Sequence, residues 1–379
     1  MDTIYLDHAA TTPVHPDVIR EMVDHLKNYG NPSSIHGIGR QTRRVVDQAR
    51  KIAARSIGAA FNEIIFTSGG TEADNLAIIG SALANRKQGN HIITTSIEHP
   101  AVLETCKYLE RNGFHVTYLP VDASGRIDVH SVKNHLRDDT ILVSVMYANN
   151  EVGAIQPIRE IGELLSNHSA IFHTDAVQAF GLLPIDCKEL GVDLLSVSAH
   201  KINGPKGIGF LYAKNGVKLV PHQYGGEQER KRRAGTENVP GIGGFAKAIE
   251  IMMKKRSENY AKYEQFRRQF IDTLQKGNIS FKINGQLENT LPHILNISFP
   301  GTNVEQMLVN LDLEGVSASG GSACTAGSLE PSHVLKAMFG SDGDPLFNSV
   351  RFSFGYGLTE EDIRRAAEKT IKIVKRLTS

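Results

Sequence analysis

The chain has 379 residues, of which 40% are hydrophobic and 22% are charged, an ordinary composition for a globular protein of two domains or one large domain with an appendage. Its 42 basic and 41 acidic residues nearly cancel, which excludes the strong charge imbalance of a nucleic-acid or membrane-surface protein. Three cysteines are too few for a disulfide framework or a four-cysteine zinc site. The sequence has no signal-peptide pattern and no apolar run of the roughly 20 residues that a membrane span needs. We therefore expect a cytoplasmic protein without a metal, a membrane contact or direct nucleic-acid binding.

From about Glu63 to Phe210, short runs rich in Ile, Val, Thr and Phe alternate with helix-like stretches. Such runs are typical of buried strands, and their alternation with helices predicts βαβ units and a mostly parallel sheet. The last run follows its predecessor too closely for a crossover, so it is expected to pair antiparallel. The predicted strands are Ile64–Thr67, His91–Ser96, His115–Val121, Ile141–Tyr147, Ala170–Thr174, Leu194–Ser198 and Ile208–Ala213, and the helices between them include Ala101–Arg111, Ser131–Leu136 and Ile158–Asn167.

The pattern of predicted elements changes in about the last hundred residues, after a long predicted helix from Ile242 to about Gln275. Thr359 is a predicted N-cap of the final helix, with the acidic Asp362 in its first turn. We predict a large α/β domain over residues 16–258 and a small α+β domain formed by residues 1–15 with 259–379. The elements predicted in the small domain are the strands Ile279–Ile283, His293–Ser298 and Val350–Phe354 and the helices Val304–Leu313 and Glu360–Leu377.

Three predicted strands are followed by residues with distinctive chemistry, at the sheet edge where ligands of open α/β sheets gather. Ser68-Gly69-Gly70-Thr71 leads into a helix whose backbone N–H groups could bind a phosphate, although a simple tight turn explains the same residues. Asp175, with Gln178 three residues later, could hold a positive ring nitrogen or could only cap a helix.

Lys201 follows the strand Leu194–Ser198 and lies among possible hydrogen-bond donors, Ser198 and His200. Desolvation lowers the pKa of a lysine and makes its amine a nucleophile that forms Schiff bases with aldehydes. The alternative is a side chain that extends to water beside a turn. A phosphate cradle, an acid and an amine together are what pyridoxal 5'-phosphate requires, so the three strand ends jointly predict that cofactor.

Several motifs in the same order resemble the class I cysteine desulfurases (NifS/IscS type), which belong to the aminotransferase class V, fold-type I pyridoxal phosphate enzymes. The resemblance runs from Tyr5 almost to the C-terminus and implies a large domain with a mostly parallel seven-stranded sheet plus a smaller α+β domain. The motifs that carry it are Tyr5-Leu6-Asp7-His8-Ala9-Ala10-Thr11-Thr12-Pro13, Thr67-Ser68-Gly69-Gly70-Thr71-Glu72, Glu98-His99-Pro100-Ala101-Val102, Asn149-Asn150-Glu151-Val152-Gly153, Ser198–Gly209, Arg233-Ala234-Gly235-Thr236, Gly321-Ser322-Ala323-Cys324 and Val350-Arg351-Phe352-Ser353.

The resemblance implies a role for each of these site residues. Lys201 would form the Schiff base with the cofactor, Asp175 would pair with its pyridinium nitrogen, and His99 would stack on the ring and help to move protons. Without the resemblance, His99 could simply begin a helix. The remaining implied roles are phosphate binding by Gly70, Thr71, Ser198 and His200, a phosphate contact from Thr236 of the neighbouring subunit in a homodimer, contacts near the ring and substrate by Gln178 and Asn150, and capture of the substrate carboxylate by Arg351.

Cys324 decides the reaction that the resemblance implies. It lies in a stretch of small and polar residues that is typical of an exposed, mobile loop, where a thiol can act as a nucleophile. Cys106 lies within a helical pattern and is expected to be buried. The implied activity is conversion of L-cysteine to L-alanine, with the sulfur carried as a persulfide on Cys324 and passed to an acceptor protein.

The sequence leaves alternatives open for the acceptor and for the function. The acceptor could be an iron–sulfur scaffold protein or a tRNA thiolase. An aminotransferase or a selenocysteine lyase would use the same cofactor cradle, although a plain aminotransferase needs no thiol such as that of Cys324. A non-catalytic docking protein could keep the same fold, but it would have no need for Lys201 and Asp175.

Overall fold

The computed structural model describes residues 3–320 and 331–379, which form strands and helices in alternation. Strands β1 to β12 span, in chain order, Ile4–Tyr5, Ile64–Thr67, His91–Thr95, His115–Leu119, Thr140–Ser144, Ile171–Asp175, Leu194–Ser198, Gly209–Ala213, Lys282–Ile283, Ile294–Ser298, Val316–Ser317 and Ser349–Ser353. Helices α1 to α12 span Pro16–Leu26, Gly37–Ser56, Gly70–Asn85, Pro100–Arg111, Val129–His135, Ile158–Leu165, Cys187–Leu190, Val239–Lys276, Val304–Leu313, His333–Phe339, Pro345–Asn348 and Glu360–Thr378.

The largest sheet within these ranges has seven strands in the order β2-β8-β7-β6-β5-β3-β4. Strands β7, β6, β5, β3 and β4 run parallel to one another, whereas β8 is antiparallel to both β2 and β7. The chain between Ser198 and Gly209 is too short for the crossover that a parallel neighbour requires. The mostly parallel sheet and the antiparallel placement of its last strand were both predicted correctly.

The strands β2, β3, β5, β6 and β7 all end at the same edge of this sheet because they run in one direction. The loops that follow them begin at Ser68, Ser96, Val145, Ala176 and Ala199. This edge therefore collects the side chains on which the sequence prediction depends.

Residues from both ends of the chain form a second body of structure beside the sheet. Strand β1 pairs parallel with β11, and Asp7 forms a bridge with Ser353 of β12. Ile4 and Leu6 pack in one hydrophobic cluster with the last third of the chain, apart from the cluster under the seven-stranded sheet. The predicted boundary after residue 258 falls within α8, and the division into two domains stays a prediction.

The final helix forms where its residue pattern predicts. Thr359 accepts a hydrogen bond of 3.2 Å from the N–H of Asp362, whose carboxylate accepts one of 3.0 Å from the N–H of Thr359. The reciprocal pair satisfies backbone donors that the first turn would otherwise leave open. The residues of α12 that turn inwards recur every three or four positions: Ile363, Ala366, Ala367, Thr370, Ile373 and Val374.

Two helices near the N-terminus, α1 and α2, were not predicted from the sequence. The buried face of α2 combines small side chains such as Ala49 and Ala53 with the charged Arg50, so the sequence shows no clear apolar periodicity there. The strand predicted at Ile279–Ile283 is shorter than expected, because only Lys282 and Ile283 pair with β10. No helix in the described ranges is both long and apolar enough to cross a membrane.

Candidate active site

Lys201 lies in a short 3-10 turn directly after β7, at the sheet edge described above. Its amine donates hydrogen bonds to the carbonyl oxygens of Ala9 (2.5 Å) and Ala10 (2.8 Å). The amine therefore points inwards, towards the N-terminal segment (residues 3–15), and Lys201 is only partly exposed. This placement differs from a lysine that extends into bulk water beside a turn.

Asp175 and His99 lie close enough to Lys201 for their charges to act on one another. Asp175 is the last residue of β6 and accepts a hydrogen bond of 2.9 Å from the N–H of Val177. Burial raises the pKa of Asp175, while His99, the Val177 N–H and Lys201 each oppose that rise. The carboxyl group thus lies in a site where a nearby positive charge stabilises its ionised form.

His99 begins helix α4, since its Nδ1 accepts a hydrogen bond of 3.1 Å from the N–H of Ala101. A backbone N–H can only donate, so the neutral imidazole carries its proton on Nε2. Burial lowers the pKa of His99, Asp175 opposes this change, and Lys201 and His333 add to it. The neutral ring offers an N–H donor at Nε2 for the space near Asp175 and Lys201.

The turn before α3 forms a cradle that has little room for side chains. A Cβ atom on Gly70 would lie 2.8 Å from Val177 Cγ2 and 3.7 Å from Ser198 Cβ. Gly69 has a φ of 153°, and helix α3 begins without a capping side chain. Uncapped N–H groups at a helix N-terminus, beside the Ser198 hydroxyl, are the donors that a phosphate group requires. The residues present therefore fit the phosphate of the predicted cofactor.

Gln178 and His200 are tied to the N-terminal segment. The Gln178 amide donates a hydrogen bond of 2.9 Å to the Ala9 carbonyl, which also accepts from Lys201. The His200 Nδ1 atom lies 3.1 Å from the Thr11 hydroxyl. Their predicted roles at the cofactor ring and phosphate stay predictions, but both lie beside Lys201. Ala9 and Thr11 lie in the first motif that carries the resemblance, but no role was predicted for them, because backbone and hydroxyl contacts across the chain leave no local pattern.

Arg351 is 1% exposed and joins Asn150 to the N-terminal segment. Its Nη1 donates a hydrogen bond of 2.9 Å to the Asn150 carbonyl oxygen, and its Nη2 donates one of 2.7 Å to the Asp7 carboxylate. The Nε atom is buried without a hydrogen-bond partner among the described residues. A substrate carboxylate placed there would satisfy this donor, which is the role predicted for Arg351.

The phosphate contacts predicted for Thr71 and Thr236 stay predictions. Thr71 is exposed on α3, where its carbonyl accepts from Asn75, and Thr236 is exposed on the loop before α8. That loop is tied to the start of α3 by a 2.8 Å ion pair between Arg233 and Glu72. Cys324 lies outside the described residues.

Two buried acidic residues, Asp74 and Glu98, lie close enough to Asp175 to interact with its charge, and no role was predicted for them from the sequence. Asp74, on α3, is fully buried, and burial together with Asp175 raises its pKa. Burial also raises the pKa of Glu98 to about 8, against the Met146 N–H and the Thr95 hydroxyl. Both carboxyl groups are therefore biased towards their neutral form, which limits negative charge around Asp175. Among the described residues, no cluster of histidine, cysteine or acidic side chains is suited to a metal ion.

The chain is similar to known proteins over its full length. Residues 4–366 match the family model described as aminotransferase class-V. The chain is 61% identical over 379 residues to a putative cysteine desulfurase IscS 1 of Bacillus subtilis, covering 100% of both proteins. It is 50% identical over 375 residues to a cysteine desulfurase IscS of Methanosarcina thermophila, covering 99% of this chain and 92% of that protein.

A solved structure described as a NifS-like protein superposes with a TM-score of 0.92 at 38% identity, covering 99% of this chain and 100% of the other. The match therefore includes the N-terminal segment, the seven-stranded sheet and the C-terminal elements. The chain belongs to the aminotransferase class-V family.

Proposed function

We propose that the chain is a pyridoxal phosphate-dependent cysteine desulfurase that converts L-cysteine to L-alanine and carries the removed sulfur as a persulfide on Cys324. The observation that carries this proposal is the 61% identity, over the whole of both chains, to a protein named as a putative cysteine desulfurase. The convergence of Lys201, Asp175 and His99 at one sheet edge supports it. An aminotransferase uses similar machinery but has no need of the Cys324 thiol.

Class-V aminotransferases and cysteine desulfurases are pyridoxal phosphate enzymes, and the residues at the sheet edge suit that group. Lys201 would bind the aldehyde and Asp175 the ring nitrogen. Gly70 and Ser198 would hold the phosphate, with Thr71, His200 and Thr236 of a second copy as further candidates. When bound, the cofactor supplies an electron sink for the carbon atoms of an amino-acid substrate.

The side chains around the substrate would orient it and move its protons. A carboxylate that enters beside the unpartnered Nε of Arg351 would be held by a charge-assisted hydrogen bond. A related solved structure, 38% identical with a TM-score of 0.83 and covering 93% of this chain and 99% of that one, is described as SspA in complex with cysteine. His99 is a proton donor at Nε2 when neutral, and the amine of Lys201 is the candidate base for the substrate α-proton.

The sulfur-transfer step balances without an external oxidant. The Cys324 thiolate attacks the substrate sulfur, so an S–S bond forms as the Cβ–S bond of the substrate breaks. The electron pair of the broken bond stays on carbon, which takes up a proton and becomes the methyl group of alanine. The transferred sulfur is oxidised and the carbon is reduced. The persulfide then passes to an acceptor, either an iron–sulfur scaffold protein or a tRNA thiolase.

A homodimer in the cytoplasm is part of this proposal. Exposed apolar side chains lie on α1 and the loop after it, a pattern that favours burial against another protein. They are Ile19, Val23, Leu26, Tyr29 and Ile35. The position of Thr236 on an exposed loop supports a contact with the phosphate site of a second copy.

The test uses the purified holoenzyme and L-cysteine labelled at sulfur. We expect one alanine per sulfur released and protein-bound label that maps to Cys324. Cys324→Ser should abolish the bound label, whereas Cys187→Ser should retain it, because Cys187 is buried and burial raises the pKa of its thiol. Label that persists in Cys324→Ser, or a keto acid in place of alanine, would overturn the proposal. We also expect the purified protein to show a cofactor absorbance band that the Lys201→Ala variant lacks. If the purified protein shows no such band, it is a docking protein and not an enzyme.

A further inference from the structure

Two residues on the C-terminal side of the segment that contains Cys324 contact the loops that carry Asn150 and His99. Ser332 begins helix α10, where its Oγ accepts a hydrogen bond of 3.1 Å from the N–H of Leu335. The same hydroxyl donates a short hydrogen bond to the carboxylate of Glu151, which directly follows Asn150. Both side chains are buried, with 4% of Ser332 and 2% of Glu151 exposed.

His333 makes the second of these contacts. Its Nε2 donates a hydrogen bond of 2.9 Å to the carbonyl oxygen of Glu98, the residue before His99. The carbonyl can only accept, so Nε2 of His333 carries the proton. Glu98 is itself held rigidly, since its Oε1 accepts from the Thr95 hydroxyl at 2.7 Å and from the Met146 N–H at 2.9 Å.

The N-terminal side of the same segment is fixed to Arg351. Ser319 and Arg351 exchange two backbone hydrogen bonds, of 3.2 Å from the Ser319 N–H and 2.6 Å from the Arg351 N–H. The residues that flank the segment at both ends therefore contact Glu98, Glu151 and Arg351. Each of these three either is a predicted site residue or is the immediate neighbour of one.

The charges around Glu151 link the two ends. Burial raises the pKa of Glu151, but the Ser332 hydroxyl, His333 and Arg351 all favour its ionised form. Glu151 thus lies within the electrostatic reach of both the predicted carboxylate-binding arginine and the first residues of α10.

We propose that Glu151, Ser332 and His333 are positioning residues for sulfur transfer, which fix the start of α10, the first described helix after Cys324 in the chain, relative to His99 and Asn150. The inference rests on the proposed function. The hydrogen bonds of these residues run to α10 and to the loops after β3 and β5, whereas Lys201 is held by the N-terminal segment and Asp175 by the turn at Val177. We therefore expect their loss to slow the step that needs the thiol and to spare the binding of substrate at the cofactor.

The experiment measures the two steps separately in single turnovers of the holoenzyme with sulfur-labelled L-cysteine. The change in cofactor absorbance reports substrate binding, and the label on the protein reports sulfur transfer. In Ser332→Ala we expect labelling to slow by about 10- to 100-fold, the effect of misplacing a reacting group by about 1 Å, with the absorbance change within about twofold of wild type. Ser332→Thr keeps the hydroxyl and should label at close to the wild-type rate.

His333 provides an independent pair of variants. His333→Leu removes the donor to the Glu98 carbonyl, whereas His333→Gln keeps an N–H group at a similar reach. We expect His333→Leu to be labelled slowly and His333→Gln to be labelled at close to the wild-type rate. The cofactor absorbance change on substrate binding should be unaffected in both variants. Equal slowing of both steps, or unchanged labelling in both Ser332→Ala and His333→Leu, would overturn the inference.

Asp128→Ala is the matched control for a lost helix cap. Asp128 caps α5, which has seven residues, as α10 does. The control also loses the side-chain cap of a short helix, and it should leave both steps unchanged. If the wild-type protein itself fails to label Cys324, the proposed function fails; if it labels and the variants label equally fast, only the positioning inference fails.

Discussion

Arg351 and Asp7 form an ion pair in which the guanidinium Nη2 lies 2.7 Å from the carboxylate Oδ1. The arginine side chain is 1% exposed and the aspartate side chain is 21% exposed. The pair connects β12 to the N-terminal segment, in which the carbonyl oxygens of Ala9 and Ala10 accept hydrogen bonds from Lys201. Asp7 therefore holds in place the guanidinium that we expect to bind the substrate carboxylate.

Replacing Asp7 by alanine should destabilise the protein, because it leaves a buried guanidinium without its charged partner. We expect the free energy of unfolding to fall by about 3 kcal/mol, at the lower end of the cost of breaking a buried pair because Asp7 is partly exposed. Asp24→Ala is the control, since Asp24 pairs with Lys27 at 3.0 Å on the surface. That variant should change the free energy by no more than about 1 kcal/mol. Urea unfolding of both variants checks the difference, and equal losses would contradict it.

A Gly70→Ala substitution should weaken cofactor binding. The new Cβ would lie 2.8 Å from Val177 Cγ2, so the turn that forms the phosphate cradle must shift. We expect the dissociation constant of pyridoxal phosphate to rise by about tenfold, equivalent to about 1.4 kcal/mol. Titration of the cofactor-free protein, followed by absorbance, measures the change. Gly37→Ala, where a Cβ has no neighbour closer than 4.0 Å, should bind as the wild type does.

Glu98 should make the stability of the cofactor-free protein depend on pH. Burial raises its pKa to about 8 in the folded protein, whereas an unfolded glutamate titrates near 4.3. Because its pKa is raised on folding, Glu98 makes its full contribution to the stability of the folded protein below about pH 4. This contribution is lost as the pH rises towards 8. In Glu98→Gln this loss is absent. The free energy of unfolding of the variant, relative to that of the wild type, should therefore increase by about 1.4 kcal/mol per pH unit across that window.

Urea unfolding at several pH values between about 5 and 8 tests this slope. Glu104→Gln is the control, because Glu104 is exposed and pairs with Lys107 on the surface. Its stability curve should run parallel to that of the wild type. A Glu98→Gln curve that also ran parallel would show that Glu98 titrates normally in the folded protein.

The residues that follow parallel strands could be predicted, because strand direction alone places them at one edge. Asp175 and Lys201 are of this kind, since Asp175 ends the buried strand β6 and Lys201 lies in the short turn that follows β7. The antiparallel position of β8 was also predictable from the short connection before it. The resemblance to a known family added Arg351, whose surroundings no local pattern describes.

The contacts that complete the site could not be predicted, because they join residues that are far apart in the chain. Ser332 and Glu151 are separated by 181 positions, and Arg351 and Asp7 by 344. Neither Ser332 nor Asp7 shows a local signal in the sequence, since a serine at a helix start and an aspartate near a short strand have ordinary explanations. The bias of Glu98 towards its neutral form depends on burial, which only the folded structure reveals.

A run of left-handed residues precedes the loop that carries Thr236. Glu229, Arg230 and Lys231 have φ angles of 45°, 57° and 65°. The run is held by Glu229, whose buried carboxylate accepts hydrogen bonds of 2.7 Å and 2.6 Å from Arg50 and one of 3.1 Å from the Phe66 N–H. A left-handed conformation costs a residue with a Cβ atom about 1–2 kcal/mol, so the ion pair offsets strain at this turn.

Lys231→Gly should therefore be more stable than Lys231→Ala, by about 1 kcal/mol. Both variants lose the surface ion pair with Glu227 at 2.9 Å, but only glycine releases the left-handed strain. The same two substitutions at Lys372, an exposed position within α12, should reverse the order, since glycine costs about 1 kcal/mol relative to alanine in a helix. Thermal or urea unfolding of the four variants measures both differences. An alanine variant at position 231 as stable as the glycine variant would show that the turn relaxes without strain.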